Sequence, residues 1–154
     1  MSTYKVVQED CLEWLGKYSE KNIHLTFIDP PFNQGKDYRY FNDTQPEDEY
    51  WTWLKQVLSK VYHGGAVYFM QREKNTEEVL KILRETGWAF QNLVIWKKKT
   101  SAVPGEFRFS KQYQIIVAAT KGEKPRVFNK LRVDLPILPE YKYERANGIY
   151  LTDV

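Results

Sequence analysis

The sequence predicts a single α/β domain built around a mostly parallel sheet. Its 154 residues are about the length of one ordinary domain, and a hydrophobic fraction of 42% is enough for a packed core. Short apolar runs alternate with stretches of helical periodicity, which is the pattern of strands and helices in such a fold. No internal repeat or Pro/Gly-rich linker divides the chain.

Five apolar runs of suitable length are predicted as strands. They cover Tyr4–Val7, Ile23–Ile28, Ala66–Met70, Ala89–Trp96 and Gln114–Thr120. The polar, basic loop between the last two runs, residues 97–111, is long for a simple connection. We therefore expect this loop to be functional.

Three helices are predicted between these runs. A short one covers about Cys11–Tyr18, and another begins at Asn75 or Thr76 and ends at Gly87. The clearest begins near Pro46, where three acidic residues complement the positive end of the helix dipole. Its apolar residues share one face and are Tyr50, Trp53, Leu54, Val57, Leu58 and Val61.

The composition excludes several kinds of protein and site. No apolar stretch reaches the ~18 residues of a membrane-spanning helix, and the N-terminal segment lacks the pattern of a secretory signal. Cys11 is the only cysteine, which excludes an internal disulfide and a Cys-ligated zinc site. Two histidines without spaced carboxylate partners give no support to a metal site. We therefore expect a cytoplasmic protein with no metal and no membrane partner.

The charged residues are unevenly distributed along the chain. Residues 1–96 carry 11 basic and 14 acidic side chains, whereas residues 97–154 carry 12 basic and 6 acidic ones. The C-terminal third is therefore the candidate surface for a polyanion. A solvated basic face with no partner explains the same distribution.

The tetrapeptide Asp29-Pro30-Pro31-Phe32 directly follows a predicted buried strand. In open α/β sheets, ligands bind just beyond the carboxyl ends of the strands. The two prolines fix two φ angles and remove two backbone donors, so the Asp29 carboxylate and the Pro30 carbonyl form a rigid pair of acceptors. Such a pair suits the amino group of a planar ring that stacks on Phe32. A base in a duplex must be extruded to reach it.

Four segments in order resemble the β-class amino-methyltransferases of DNA, which use S-adenosyl-L-methionine to make N6-methyladenine or N4-methylcytosine. The segments are Val7–Glu13, Ile28–Tyr38, Ile95–Lys98, and Phe107–Tyr113 followed by Val117–Gly122. The resemblance implies an incomplete Rossmann-like methyltransferase sheet, mostly parallel with an antiparallel hairpin, and with helices on both faces. Residues 1–122 would form the catalytic portion. Residues 123–154 would be an extended tail that belongs to target recognition or links to a cofactor half.

The resemblance also implies roles for individual residues. Asp29 and Pro30 would hold the target amino group, Pro31 would stiffen the turn, and Phe32 would stack on the extruded base. For the cofactor, the implied residues are Asp10, Cys11 and Asp29. For DNA, they are Lys97, Lys98, Lys99, Arg108 and Phe109. Asp10 is equally suited to cap the helix that follows it, and the three lysines to form a solvated strand end.

One feature of the family is missing from this sequence. These enzymes carry a glycine-rich Phe-x-Gly-x-Gly cofactor loop, but the eight glycines here include no Gly-x-Gly. We therefore expect either a homodimer or a complementing chain that carries the glycine-rich half. Adenine is favoured as the target because position 29 is Asp, where cytosine enzymes more often have Ser. Two alternatives remain open: a catalytically silent nucleic-acid-binding or assembly module, and a methyltransferase of RNA or of protein side-chain amides.

Overall fold

The computed structural model describes residues 3–18, 22–62, 64–99, 107 and 110–129. These residues form a four-stranded mixed sheet, a small two-stranded hairpin, three α-helices and one 3-10 turn. In chain order the elements are α1 (Cys11–Lys17), β1 (Leu25–Ile28), β2 (Asp37–Tyr38), β3 (Phe41–Asn42), α2 (Glu47–Lys60), β4 (Ala66–Gln71), a 3-10 turn (Glu73–Asn75), α3 (Thr76–Glu85), β5 (Ala89–Lys97) and β6 (Tyr113–Thr120).

The main sheet has the strand order β1-β4-β6-β5. Strand β1 is parallel to β4, while β6 is antiparallel to both β4 and β5. The β5–β6 pair is the antiparallel hairpin that the sequence predicts. Strands β1, β4 and β5 therefore run in the same direction, and their carboxyl ends lie at one edge of the sheet.

Helices α2 and α3 pack together on one face of this sheet. Val67 and Phe69 of β4 and Val117 of β6 are fully buried against them. Ile28 at the end of β1 packs against the same core. Burial of these apolar side chains, at roughly 25 cal/mol for each Å² of apolar surface, holds β1 at a fixed place beside β4.

The short helix α1 begins at a side-chain cap. The Asp10 carboxylate Oδ1 accepts the backbone N–H groups of Leu12 at 2.9 Å and of Glu13 at 3.1 Å. Two of the N–H groups that every helix leaves unpaired at its start are thereby satisfied. Helix α1 contacts α2, and Leu15 packs against the core.

Two details of the predicted fold are corrected by the structure. The Tyr4–Val7 run forms no strand, and Tyr4 and Val6 are 93% and 84% exposed, because no neighbouring strand pairs with them in the described part of the chain. Both large helices lie on the same face, and no described helix covers the other. The predicted mostly parallel sheet with an antiparallel hairpin is confirmed, because three of the four described strands of the main sheet run in the same direction and β6 runs against them.

Several predicted boundaries lie close to the observed ones. The helix expected from Pro46 is Glu47–Lys60, and the helix expected to end at Gly87 is Thr76–Glu85. Residues 121–129 contain no helix or strand, whereas residues 130–154 lie outside the described residues. The division of the chain at residue 122 stays a prediction. Within the ranges given above, no helix is both long and apolar enough to cross a bilayer.

Candidate active site

A cavity of about 710 Å³ lies beside the carboxyl end of β1. Three parts of the fold enclose it: the start of α1, the end of β1 with the turn after it, and the side chains of α2 and the β2–β3 hairpin that face them. The polar residues that line it include Asp10 and Asp29. This volume falls within the ~300–1,000 Å³ that is usual for small-molecule sites.

The tetrapeptide after β1 forms one wall of this cavity. Asp29 is exposed and lines the cavity, whereas Pro30 next to it is buried. Pro31 also lines the cavity, and both Pro31 and Phe32 are half-buried. A carboxylate that water reaches, on a turn that is fixed by two prolines, keeps its acceptor capacity for a ligand.

Buried side chains hold this turn from below. The Tyr50 hydroxyl donates to the Pro31 carbonyl at 2.7 Å, and Gln71 Nε2 donates to the Tyr50 oxygen at 2.9 Å. Tyr50 is 1% exposed and Gln71 is fully buried. Burial, and to a smaller extent the charge of Asp43, raise the pKa of Tyr50 to about 12, although the hydrogen bond from Gln71 opposes this shift. Tyr50 therefore stays a hydroxyl donor across the neutral range.

The loop after the tetrapeptide folds around the buried carboxylate of Asp43. Its Oδ1 accepts the backbone N–H of Asn33 at 2.8 Å, and its Oδ2 accepts those of Gln34 at 3.0 Å and Lys36 at 2.9 Å. Removal from water raises the pKa of Asp43, but these three N–H donors and the Lys36 charge lower it by more, so the net shift is downward.

This shift predicts that acid releases the loop. Asp43 has a folded pKa below the ordinary value of 3.8, so its ionised form stabilises the fold above that value. The contribution is lost as the pH falls through the folded pKa. We expect the backbone amide signals of Asn33 and Gln34 in NMR spectra to titrate with a midpoint below 3.8. A midpoint at or above that value would contradict the prediction.

Two aromatic side chains form a further wall of the cavity. The rings of Phe41 and Trp53 are 5.2 Å apart, and both residues line the cavity. The sequence places Trp53 on the apolar face of α2. It is half-buried and packs on the core at the edge of the cavity, whereas its neighbour Trp51 is 7% exposed. The wall offers flat apolar surface to a ring-shaped ligand.

Lys97, Lys98 and Lys99 lie at the end of β5, away from the cavity. The backbone N–H of Lys98 donates to the Gln112 carbonyl at 2.5 Å, while Lys97 and Lys99 are exposed. Because β1 and β5 run in the same direction, these lysines share one sheet edge with Asp29. Strands β4 and β6 lie between them, which corresponds to a lateral separation of roughly 14 Å at the usual strand spacing.

Residues 23–154 match the model of a family described as DNA methylase (N6_N4_Mtase). The chain belongs to this DNA methylase family. Type II methyltransferase M1.MboII of Moraxella bovis is 30% identical over 150 residues, which are 94% of this chain and 57% of that protein. DNA adenine methyltransferase YhdJ of Escherichia coli K12 is 24% identical over 128 residues, which are 80% of this chain and 43% of that protein. This member of the family thus spans about half the length of these relatives.

Two solved structures share the fold of this chain. Two crystal structures of TTHA0409 from Thermus thermophilus, a candidate DNA modification methylase, match with TM-scores of 0.56 and 0.52 and identities of 21% and 18%. Each match covers 78% of this chain, and the matches cover 53% and 54% of the two solved chains. The second structure is a complex with S-adenosyl-L-methionine. The likeness confirms the predicted incomplete Rossmann-like α/β fold.

The structure gathers part of the predicted site around one cavity. Five of the predicted site residues line the cavity, namely Asp10, Cys11, Asp29, Pro30 and Pro31. Phe32 is not among the lining residues, and the three lysines lie elsewhere on the same sheet edge. Arg108 and Phe109 lie outside the described residues. Burial first, and then the charge of Asp10, raise the pKa of the Cys11 thiol, which disfavours thiolate chemistry at this wall.

The sequence does not identify Asp43 and Gln71 as residues that support the site, and it predicts Tyr50 only as a core residue. Asp43 is seven to ten residues away from its three partners, so no helical or strand periodicity marks it. One signal is present: an acidic residue after Phe41-Asn42, on the far side of a loop that contains Gly35. A polar residue at the end of a buried strand, as at Gln71, is a similar signal.

Proposed function

We propose that this chain provides the base-holding half of an S-adenosyl-L-methionine-dependent DNA amino-methyltransferase. The observation that carries the proposal is the exposed Asp29 carboxylate on a proline turn, at a cavity beside the end of a core-anchored strand. The DNA methylase family and the names of the two relatives support the reaction. Adenine N6 is the favoured target because position 29 is Asp, where cytosine enzymes of this class more often have Ser.

The residues of the cavity fit S-adenosyl-L-methionine, which supplies an electrophilic methyl group when it is bound. Asp10 uses a single oxygen, Oδ1, for both of its capping bonds, so Oδ2 can accept from a ligand amino group. The backbone of Cys11 lies beside it. Phe41 and Trp53 offer ring surfaces to the flat part of such a ligand.

The tetrapeptide would prepare the target nitrogen for methylation. The Asp29 carboxylate and the Pro30 carbonyl accept the two hydrogens of the amino group, which draws the nitrogen lone pair out of conjugation with the ring. Phe32 stacks on the extruded base and holds its plane. A carboxylate oxygen of Asp29 receives the proton that the nitrogen loses on methylation.

The proposed partner is either a complementing chain that carries the glycine-rich segment or a second copy of this chain. Two observations support it: the sequence holds no Gly-x-Gly, and β1 pairs with β4 alone among the described strands. The second edge of β1 therefore keeps unpaired backbone groups that a further strand would satisfy. Leu25 and Phe27 on this strand are 55% and 51% exposed.

Transfer of a labelled methyl group tests the function. We expect label to enter DNA as N6-methyladenine, with this chain alone or after the remaining part of M1.MboII is added. RNA and unrelated protein serve as parallel acceptors. Label in RNA or protein instead of DNA would contradict the proposed substrate. If no label is transferred by the chain alone or after the remaining part of M1.MboII is added, the proposed enzymatic activity is contradicted. That result would favour the catalytically silent nucleic-acid-binding or assembly module.

Replacement of Lys97, Lys98 and Lys99 by Ala is expected to weaken the salt dependence of DNA binding. Each phosphate contact contributes about 0.9 to the slope of log K against log salt, so the slope should become less steep by about 1–3. Binding is measured by fluorescence anisotropy at several salt concentrations. The control replaces Lys55, Lys60 and Lys81, which lie on α2 and α3, and removes the same charge. Equal slopes for the two triple variants would remove Lys97–Lys99 from the DNA site.

A further inference from the structure

Both peptide groups that flank Phe32 are hydrogen-bonded to buried side chains. On one side, the Pro31 carbonyl accepts the Tyr50 hydroxyl at 2.7 Å. On the other, the Asn33 N–H donates to Asp43 Oδ1 at 2.8 Å. The φ and ψ angles of Phe32 are the rotations between these two peptide planes, so holding both planes fixes the backbone of Phe32.

The Asp43 side of this arrangement is held by several bonds at once. Asp43 is 3% exposed, and besides the carboxylate bonds its backbone carbonyl accepts the Gly35 N–H at 2.8 Å. Asn33 has a φ of 52°, which is unusual for a residue with a side chain. Its side chain both accepts from and donates to the backbone of Gln45, at 2.8 Å each. Such a conformation persists only where the surroundings determine it.

The Tyr50 side is anchored in the core of the fold. Gln71 donates to the Tyr50 oxygen, and its own Oε1 accepts the backbone N–H of Arg72 at 2.9 Å. Tyr50 lies on α2 and Gln71 ends β4, so the Pro31 carbonyl is connected to a core helix and to the strand that pairs with β1. Neither side chain has room to rotate away without leaving a buried polar group unpaired.

We infer that Asp43 and Tyr50 are positioning residues that hold Phe32, and through it the ring of the extruded base, in place for methylation. This inference rests on the proposed function. Neither side chain needs to touch the base, because each acts through one peptide group of Phe32. Stacking depends on the plane and distance of the ring, so freedom in the Phe32 backbone would lower the rate of transfer.

Hydrogen exchange tests the anchors independently of activity. Asp43→Asn keeps the shape of the side chain but leaves one accepting oxygen where Asp43 uses two. We expect amide exchange at Asn33, Gln34 and Lys36 to become at least tenfold faster, while exchange of the core strand β6 stays within twofold. The matched control is Asp48→Asn, an exposed carboxylate in the first turn of α2. Unchanged exchange at all three amides would overturn the inference.

A double-substitution cycle tests whether Asp43 acts through Phe32. Asp43→Asn alone is expected to lower the kcat of methyl transfer to DNA by about tenfold, normalised to the folded fraction. In the Phe32→Ala background the same change should have less than a twofold effect, because the ring that Asp43 positions is gone. Equal effects in both backgrounds would indicate a structural role only and would overturn the inference.

Tyr50→Phe is the second variant and covers the case in which Asp43→Asn fails to fold. It removes the hydroxyl that holds Pro31. We expect Tyr50→Phe to lower the kcat of methyl transfer when Phe32 is present and to have less than a twofold effect in the Phe32→Ala background. Tyr68→Phe, on the neighbouring strand β4, is its control. If the unsubstituted protein transfers no methyl group, either alone or with the remaining part of M1.MboII, the proposed function is contradicted. The exchange data then still decide whether the two anchors fix the backbone at Phe32.

Discussion

Asp29→Ala is expected to lower labelled methyl transfer to DNA by about a hundredfold or more. The substitution removes the charged acceptor of the pair that we propose holds the amino group, and with it the proposed acceptor of the released proton. Positioned proton acceptors contribute about 10²–10⁴-fold to enzymatic rates. Because Asp29 is exposed and Pro30 and Pro31 keep the turn, the fold should change little.

The assay compares initial rates at equal concentrations of folded protein, with the glycine-rich polypeptide present if the chain requires it. Asp48→Ala is the control, since it also removes an exposed carboxylate, but on α2 outside the cavity lining. A less than tenfold loss for Asp29→Ala would remove Asp29 from the site. If both variants lose the same fraction of the methyl-transfer rate, the effect comes from the change in net charge alone.

The sequence predicts the placement of Asp29 because every element that determines it is local. An apolar run, an immediate Asp-Pro-Pro and the rule that ligands bind at the carboxyl ends of strands lead to one location. Helix α2 is predictable for a similar reason, since its apolar residues repeat with the period of one helix face. Its Trp53 packs on the core as this face predicts, but periodicity does not show that Trp53 also borders the cavity.

The rest depends on contacts between distant residues, which no local pattern encodes. Asp43 accepts from three amides across a loop, and Gln71 is 21 residues from the hydroxyl that it holds. The Tyr4–Val7 run has strand composition, but a strand forms only where a neighbouring strand satisfies its backbone groups. Arg108 and Phe109 lie outside the described residues and stay predictions from the resemblance.

Phe69→Ala is expected to lower the free energy of unfolding by about 3–5 kcal/mol, which is the usual cost of replacing a buried Phe by Ala. Phe69 is fully buried on β4 and pairs with Ile28, the residue before Asp29. The cavity left behind would lie directly beneath the carboxyl end of β1. Since whole domains are stable by only about 5–15 kcal/mol, a large part of the stability depends on this contact.

Urea unfolding followed by tryptophan fluorescence measures this change. The control is Phe90→Ala on the edge strand β5, where the ring is 52% exposed and the same truncation should cost less than about 1 kcal/mol. Because Phe69 supports β1 and Phe90 does not, Phe69→Ala should also reduce methyl transfer in the absence of urea. Equal unfolding free energies for the two variants would mean that the core does not hold the end of β1, and the rigid placement of Asp29 would lose its physical basis.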